Sequence, residues 1–131
     1  MVKIQELNTY AVIFCEGRVL VLKRKNGFWE FPGGGVEWGE HPDEAVVREV
    51  KEETGIEIKN PTFLGITSAT YEKDGDEKHS LYVVYKAETN TKAVNITDEH
   101  VEYRWLLPEE LRFLKLGLNA EPVLNMLKRL L

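Results

Sequence analysis

Three carboxylates crowd the segment "REVKEETG", Arg48 to Gly55: Glu49, Glu52 and Glu53. On a helix that turns by about 100° per residue, they fall within an arc of roughly 100°. Val46, Val47 and Val50 occupy the adjoining arc, with Lys51 beyond. The acids therefore border the face that must be buried, where unrelieved repulsion between like charges is costly. Arg48 reaches Glu52 at i,i+4 and offsets one charge, and the other two need a partner. A glutamate-rich helix ordinarily presents a solvated charged face. Two features point to a bound cation instead: the position beside the apolar arc, and the loop in front of the helix. That loop, "FPGGGVEWGE", supplies consecutive glycines, which let backbone approach a ligand closely, and a further acid, Glu40. Hard oxygen donors clustered in this way suit Mg2+ or Mn2+ better than zinc.

Such a helix needs a start and a stop. Pro42 suits the first helical position, Asp43 and Glu44 suit the positive end of the helix dipole, and Gly55 suits a left-handed stop. "HPDEAVVREVKEETG" thus reads as a helix. Ahead of it, "TYAVIFCEGRVLVLKRK" reads as two β-rich runs joined by a turn at Glu16-Gly17, and "NGFWEFPGGGVEWGE" as a structured loop. After it, "PTFLGITSATYEK" and "HSLYVVYKAE" read as strands around the hairpin signal "KDGD". "YRWLLP" reads as a short strand and "PEELRFL" as a short helix opened by Pro108. "NAEPVLNMLKRLL" reads as an amphipathic helix with Val123, Leu127 and Leu130 facing the core. Strands and helices mix without regular βαβ alternation, which predicts an α+β fold or an α/β/α sandwich with a mixed sheet.

The bulk composition limits the partners. A chain of 131 residues that is 43% hydrophobic suits one domain with its own core. With a net charge of −5, a broad nucleic-acid groove or an anionic membrane surface is not expected as the main partner. An anionic substrate would need positive charge recruited locally. The lone cysteine, Cys15, lies in an apolar run and reads as a buried small hydrophobe. "MVKIQELNTY" lacks signal-peptide features and no apolar run reaches spanning length, so a cytoplasmic location is expected.

Gly34, five residues, Glu40, seven residues, then Arg48 through Ile56 meet every fixed position of G-x5-E-x7-R-E-U-x-E-E-x-G-U, where U is aliphatic. This is the Nudix box, and the chain resembles the Nudix hydrolase family. A chance match is on the order of 10⁻⁸ per start point at average composition. "WEFPGG" and the terminal "EPVL" are similar to MutT-type members, which clean up nucleoside triphosphates. The resemblance implies a Nudix-type α/β/α sandwich with a mixed β-sheet, forming a single domain over 1–131. It also implies Mg2+-dependent cleavage of a nucleoside diphosphate linked to another moiety.

By position, Glu49, Glu52 and Glu53 match the family's metal-binding and base carboxylates, with Glu49 as the usual base of MutT-type members. Glu40 matches the acid that supports the metal site, Arg48 the arginine that orients the acids, and Gly33 a residue that can offer its carbonyl to the metal. Glu99, six residues before Trp105, resembles the extra loop acid of MutT-type enzymes. Bound Mg2+ would neutralise diphosphate oxygens, lower the pKa of a bound water and template in-line attack on phosphorus, while a carboxylate takes the proton. The cations arrive with the substrate, so an acidic protein can hold an anion. Lys23 and Arg24, just before the loop, are candidate phosphate contacts.

A nucleobase needs an aromatic slot with a few polar groups. Phe31, Tyr71, His79, Tyr82 and Asn119 are the candidates. The expected substrate is a (d)NTP or an oxidised nucleotide. MutT-type members place an asparagine immediately before "EPV", where this chain has Ala120, with Asn119 one residue earlier. Dinucleoside polyphosphates and ADP-ribose are the alternative substrates, with Tyr71 roughly where dinucleoside tetraphosphate hydrolases carry a tyrosine. A reading of another class is a non-catalytic nucleotide-sensing module, although such modules usually have a degraded box. The chain is expected to act as a monomer or homodimer.

Overall fold

The computed structural model describes residues 2–129. The described elements are β1 Lys3–Cys15, β2 Arg18–Arg24, β3 Trp29–Glu30, β4 Gly33–Gly35, α1 Pro42–Thr54, β5 Thr62–Lys73, β6 Asp76–Glu88, β7 His100–Leu106, a 3-10 helix Pro108–Phe113 and α2 Val123–Lys128. The strands form one mixed sheet of order β3-β2-β1-β6-β5, with β4 added on β1 and β7 on β2. β1 and β6 run parallel, in register from Lys3↔Glu77 to Phe14↔Glu88. The other strand pairings are antiparallel.

Successive side chains of a strand point to opposite faces, and both faces of this sheet are covered. Tyr10, Val12, Val19 and Val21 pack with Trp29, Phe31, Leu111, Val123 and Leu127 on one side. Ala11, Ile13, Leu20 and Leu22 pack with Val46, Val50, Ile56 and Ile58 on the other. This two-sided burial explains why β2 and the second half of β1 read as nearly unbroken apolar runs. With α1 on one face and the 3-10 helix and α2 on the other, the architecture is the α/β/α sandwich with a mixed sheet. Cys15 is buried and free. Among the described residues, no helix is long and apolar enough to cross a membrane.

The punctuation of α1 is as expected. Pro42 opens it, the Glu44 carboxylate accepts the His41 N–H at 3.1 Å, and Gly55 closes it at φ 78° with its N–H on the Lys51 carbonyl. Elsewhere the elements differ from the sequence reading. Gly33–Gly35 is a strand, not a loop, and pairs with Asn8–Tyr10 of β1. Gly33 cannot carry a side chain there, because a Cβ would collide with the Thr9 carbonyl. β7 begins three residues before "YRWLLP", at His100. The final helix starts only at Val123, after turns over 119–122. Val123 and Leu127 are buried as expected, while Leu130 lies outside the described residues.

Candidate active site

Arg48 holds the acidic groups of α1 in place. Its Nε and Nη2 donate to the two oxygens of Glu40 at 2.8 and 2.9 Å, and Nη1 donates to Glu49 Oε1 at 2.9 Å. Nη2 also caps the Gly35 carbonyl at 3.0 Å, and Nη1 reaches Glu52 at 3.3 Å. A planar guanidinium can make this fork and an ammonium cannot. The bond to Arg48, helped by the Glu37 N–H, lowers the Glu40 carboxyl to about 2. Glu40 is thus a permanently charged anchor for Arg48, which in turn fixes Glu49.

Helical spacing turns Glu49, Glu52 and Glu53 toward one cleft of about 380 Å³, closed on the other side by Thr97, Asp98 and Glu99. Gly34 makes room for this arrangement: a Cβ there would lie 2.5 Å from the Glu49 carboxyl. Burial raises the Glu49 carboxyl, opposed by Arg48. Glu53 is the deepest acid, 7% exposed, and accepts the Gly33 N–H at 2.7 Å. Burial pushes its carboxyl up to about 9, and Glu30, Glu99 and Glu49 add repulsion that the Gly33 N–H only partly opposes.

Glu53 and Glu99 also line a second cavity of about 470 Å³, together with Gly33, Arg24, Glu30 and His100. Its inner wall is Phe31 and the stacked pair Tyr10 and Tyr82, whose ring centroids are 3.9 Å apart. Burial pushes the Tyr82 phenol up to about 12 and the Tyr10 phenol further, so this wall carries no charge at neutral pH. Tyr10, Arg24, Glu30 and Tyr82 continue into a third cavity of about 600 Å³ that ends at Tyr71 and Asn119. The three cavities therefore share walls, running from the acids past Arg24 to an aromatic, amide-bearing pocket. Asn119 is 9% exposed, and its Oδ1 has no hydrogen-bond partner.

Of the residues singled out from sequence, Glu49, Glu52, Glu53, Glu99, Gly33, Arg24, Phe31, Tyr71, Tyr82 and Asn119 all line this connected space. Glu40 and Arg48 support it from behind. Lys23 lines none of the three cavities: its ammonium lies 5.8 Å from the Trp29 ring centre, and a β-bulge on β2 separates it from Arg24. His79, on β6, bonds to Gln5 Nε2 at 3.1 Å and lines a further cavity that meets this space only at Tyr71 and Glu72. Sequence reasoning missed Tyr10, Glu30 and His100. Glu30 and His100 lie 70 residues apart in the chain yet bond at 2.8 Å. Only the sheet order, with β3 and β7 both on β2, brings them together. One ligand atom each of Glu53, Glu99 and His100 fall within 4.8 Å of one another.

A family model described as NUDIX domain matches residues 6–128. The chain belongs to the NUDIX family. Within this family of hydrolases, it is 36% identical over 108 residues to the nucleoside triphosphatase NudI of Escherichia coli, covering 76% of each chain. It is 32% identical over 100 residues to a MutT-like protein of Streptomyces ambofaciens, covering 76% of this chain and 61% of that one. Among solved structures, a MutT NUDIX hydrolase from Burkholderia pseudomallei superposes with a TM-score of 0.83 at 29% identity, over 94% of this chain and 98% of that one. The acid cleft described above is the NUDIX box, Gly34 to Ile56, folded against the loop that carries Glu99.

Proposed function

We propose that this chain, acting as one domain, is a Mg2+-dependent pyrophosphohydrolase of MutT-like type. Its substrate would be a nucleoside diphosphate linked to a further group, with a (d)NTP or an oxidised nucleotide favoured. The observation that carries this reading is the shared wall: the cleft of Glu49, Glu52, Glu53 and Glu99 adjoins a cavity lined by Arg24 and the tyrosine stack, which leads on to Asn119. The likeness to a nucleoside triphosphatase supports the same class.

The donor set fits a divalent cation. Five carboxylates line the cleft, Asp98 among them, and the deepest, Glu53, is so poorly solvated that it is pushed up to about 9 without one. Glu49, Glu52, Glu53 and Glu99 would hold the ion, with the Gly33 backbone beside them. When bound, it would neutralise the phosphate oxygens and acidify a water.

The chain's own residues do the rest. Arg24, half exposed at the boundary between the acid and aromatic cavities, meets the phosphates that extend from the cleft. Tyr82, stacked on Tyr10, offers a flat apolar surface to the base, and Asn119 Oδ1 accepts a hydrogen from its edge. Glu49 takes the proton of the attacking water. Its Oε1 is held by Arg48, which leaves Oε2 to face the ion and the water beside it.

The test is turnover of (d)NTPs, oxidised dGTP, dinucleoside polyphosphates and ADP-ribose with and without Mg2+, with products identified. A nucleoside monophosphate and pyrophosphate from a triphosphate are expected. No Mg2+-dependent turnover of any of these compounds, alongside nucleotide binding, would support a sensing module instead.

A further inference from the structure

Among the described residues, two buried side-chain atoms lack a hydrogen-bond partner: Asn119 Oδ1 and His100 Nδ1. The first belongs to a residue that lines the pocket assigned to the base. The second has no use in a site built from glutamates alone. The His100 side chain is 1% exposed, and its Nε2 lies 2.8 Å from Glu30 Oε2. A carboxylate accepts this bond, so the hydrogen belongs on Nε2, and the tautomer that donates there carries its lone pair on Nδ1. A buried lone pair without a partner is costly. The same ring offers a nitrogen within 4.8 Å of carboxylate oxygens of Glu53 and Glu99. An imidazole that gives its far N–H to a carboxylate is the usual arrangement of a metal-bound histidine.

We propose that His100 is a nitrogen ligand, alongside Glu53 and Glu99, for one divalent cation of this site, and that Glu30 orients its ring. This position would then prefer a first-row transition ion such as Mn2+ or Co2+ over Mg2+. Carboxylates alone suit Mg2+, whereas an imidazole nitrogen raises affinity along the transition series. The sheet makes the placement rigid: Glu30 pairs with Leu22 and His100 with Arg24, so both ligand and orienting acid are anchored on β2. A purely structural Glu30–His100 pair would account for Nε2 but leave Nδ1 unexplained. The inference rests on the metal-dependent reading above and adds a ligand to it.

The test uses the full chain, stripped of metal and loaded with substoichiometric Mn2+ alone. Pulsed electron paramagnetic resonance should detect ¹⁴N coupling from a directly bound imidazole. The coupling should vanish in His100→Gln, whose amide still donates to Glu30. The Mn2+ Kd should rise at least about tenfold in that variant, with the Mg2+ Kd changing much less. Glu30→Gln should keep the coupling and weaken Mn2+ by about tenfold, as loss of an orienting partner does. Bound Mn2+ without ¹⁴N coupling in the unaltered chain would overturn the proposal, and so would coupling that persists in His100→Gln. The first of these needs no variant, so a folding defect cannot hide it. If the coupling is absent while Mg2+-dependent turnover persists, the proposal falls and the proposed function stands.

Discussion

Glu53 Oε1 accepts the backbone N–H of Gly33 at 2.7 Å, so the deepest acid of α1 is tied to the glycine strand in front of the helix. That bond favours the ionised form but does not offset burial and the neighbouring acids, and the carboxyl stands at about 9. At neutral pH the metal-free protein therefore holds a proton on Glu53. A cation must displace it, because a metal-bound carboxylate is ionised. Calorimetry at pH 7 in buffers of different ionisation enthalpy should show about one proton released per metal bound. The release should fade as pH rises past 9 and be absent in Glu53→Gln.

The same shift sets the sign of a stability profile. The folded-state value lies above the ordinary value of about 4.3, so folding takes up a proton between these limits. The metal-free protein should lose stability as pH rises from about 4.3 to about 9. Saturating divalent metal should flatten the slope. Thermal melts across this range, with and without metal, read both.

Glu49 is positioned by Arg48 rather than buried like Glu53. Glu49→Gln should lower kcat by about 10²–10⁴-fold, the usual share of a general base, with little change in KM or melting temperature. Unchanged turnover would remove Glu49 from the mechanism.

Arg48→Lys keeps the charge and loses the fork that joins Glu40, Glu49 and the Gly35 carbonyl. Misplacing a reacting group by about 1 Å can cost about 10²-fold. Steady-state kinetics should show kcat reduced by about 10–100-fold, with a lower melting temperature.

Gly34→Ala separates chemistry from stability. Its Cβ would lie 2.5 Å from the Glu49 carboxyl, the far end of a flexible side chain that can swing away. Melting temperature should barely move, while kcat falls at least about tenfold because the swing takes Glu49 out of position.

How legible this was depends on the range of each interaction. α1 was legible because its start, stop and periodicity lie within a few residues: Pro42, Gly55, and acids beside valines. Arg48 to Glu52 at i,i+4 was read correctly for the same reason. Gly33–Gly35 was misread because glycines have no side-chain period; their pairing with Asn8–Tyr10 is set by β1. The polar first half of β1 went unread because it is ordered by parallel pairing with β6, more than 70 residues away. Lys23 and Arg24 part at a β-bulge on β2 that no local sequence signal marks, and only Arg24 lines the cavities. Glu30 and His100 carried no local signal at all, since β2 stands between their strands and alone relates them.

Metal uptake in the presence of nucleotide decides whether these carboxylates grip phosphate through a cation. Mn2+ or Mg2+ would be titrated into the metal-free chain with and without a non-hydrolysable nucleoside triphosphate, and again with Glu52→Gln and Glu53→Gln. Saturable binding that nucleotide tightens is expected, since each ligand must strengthen the other reciprocally, with marked weakening in both variants. No cation uptake by the unaltered protein even with nucleotide present, or the same affinity after both substitutions, would contradict it.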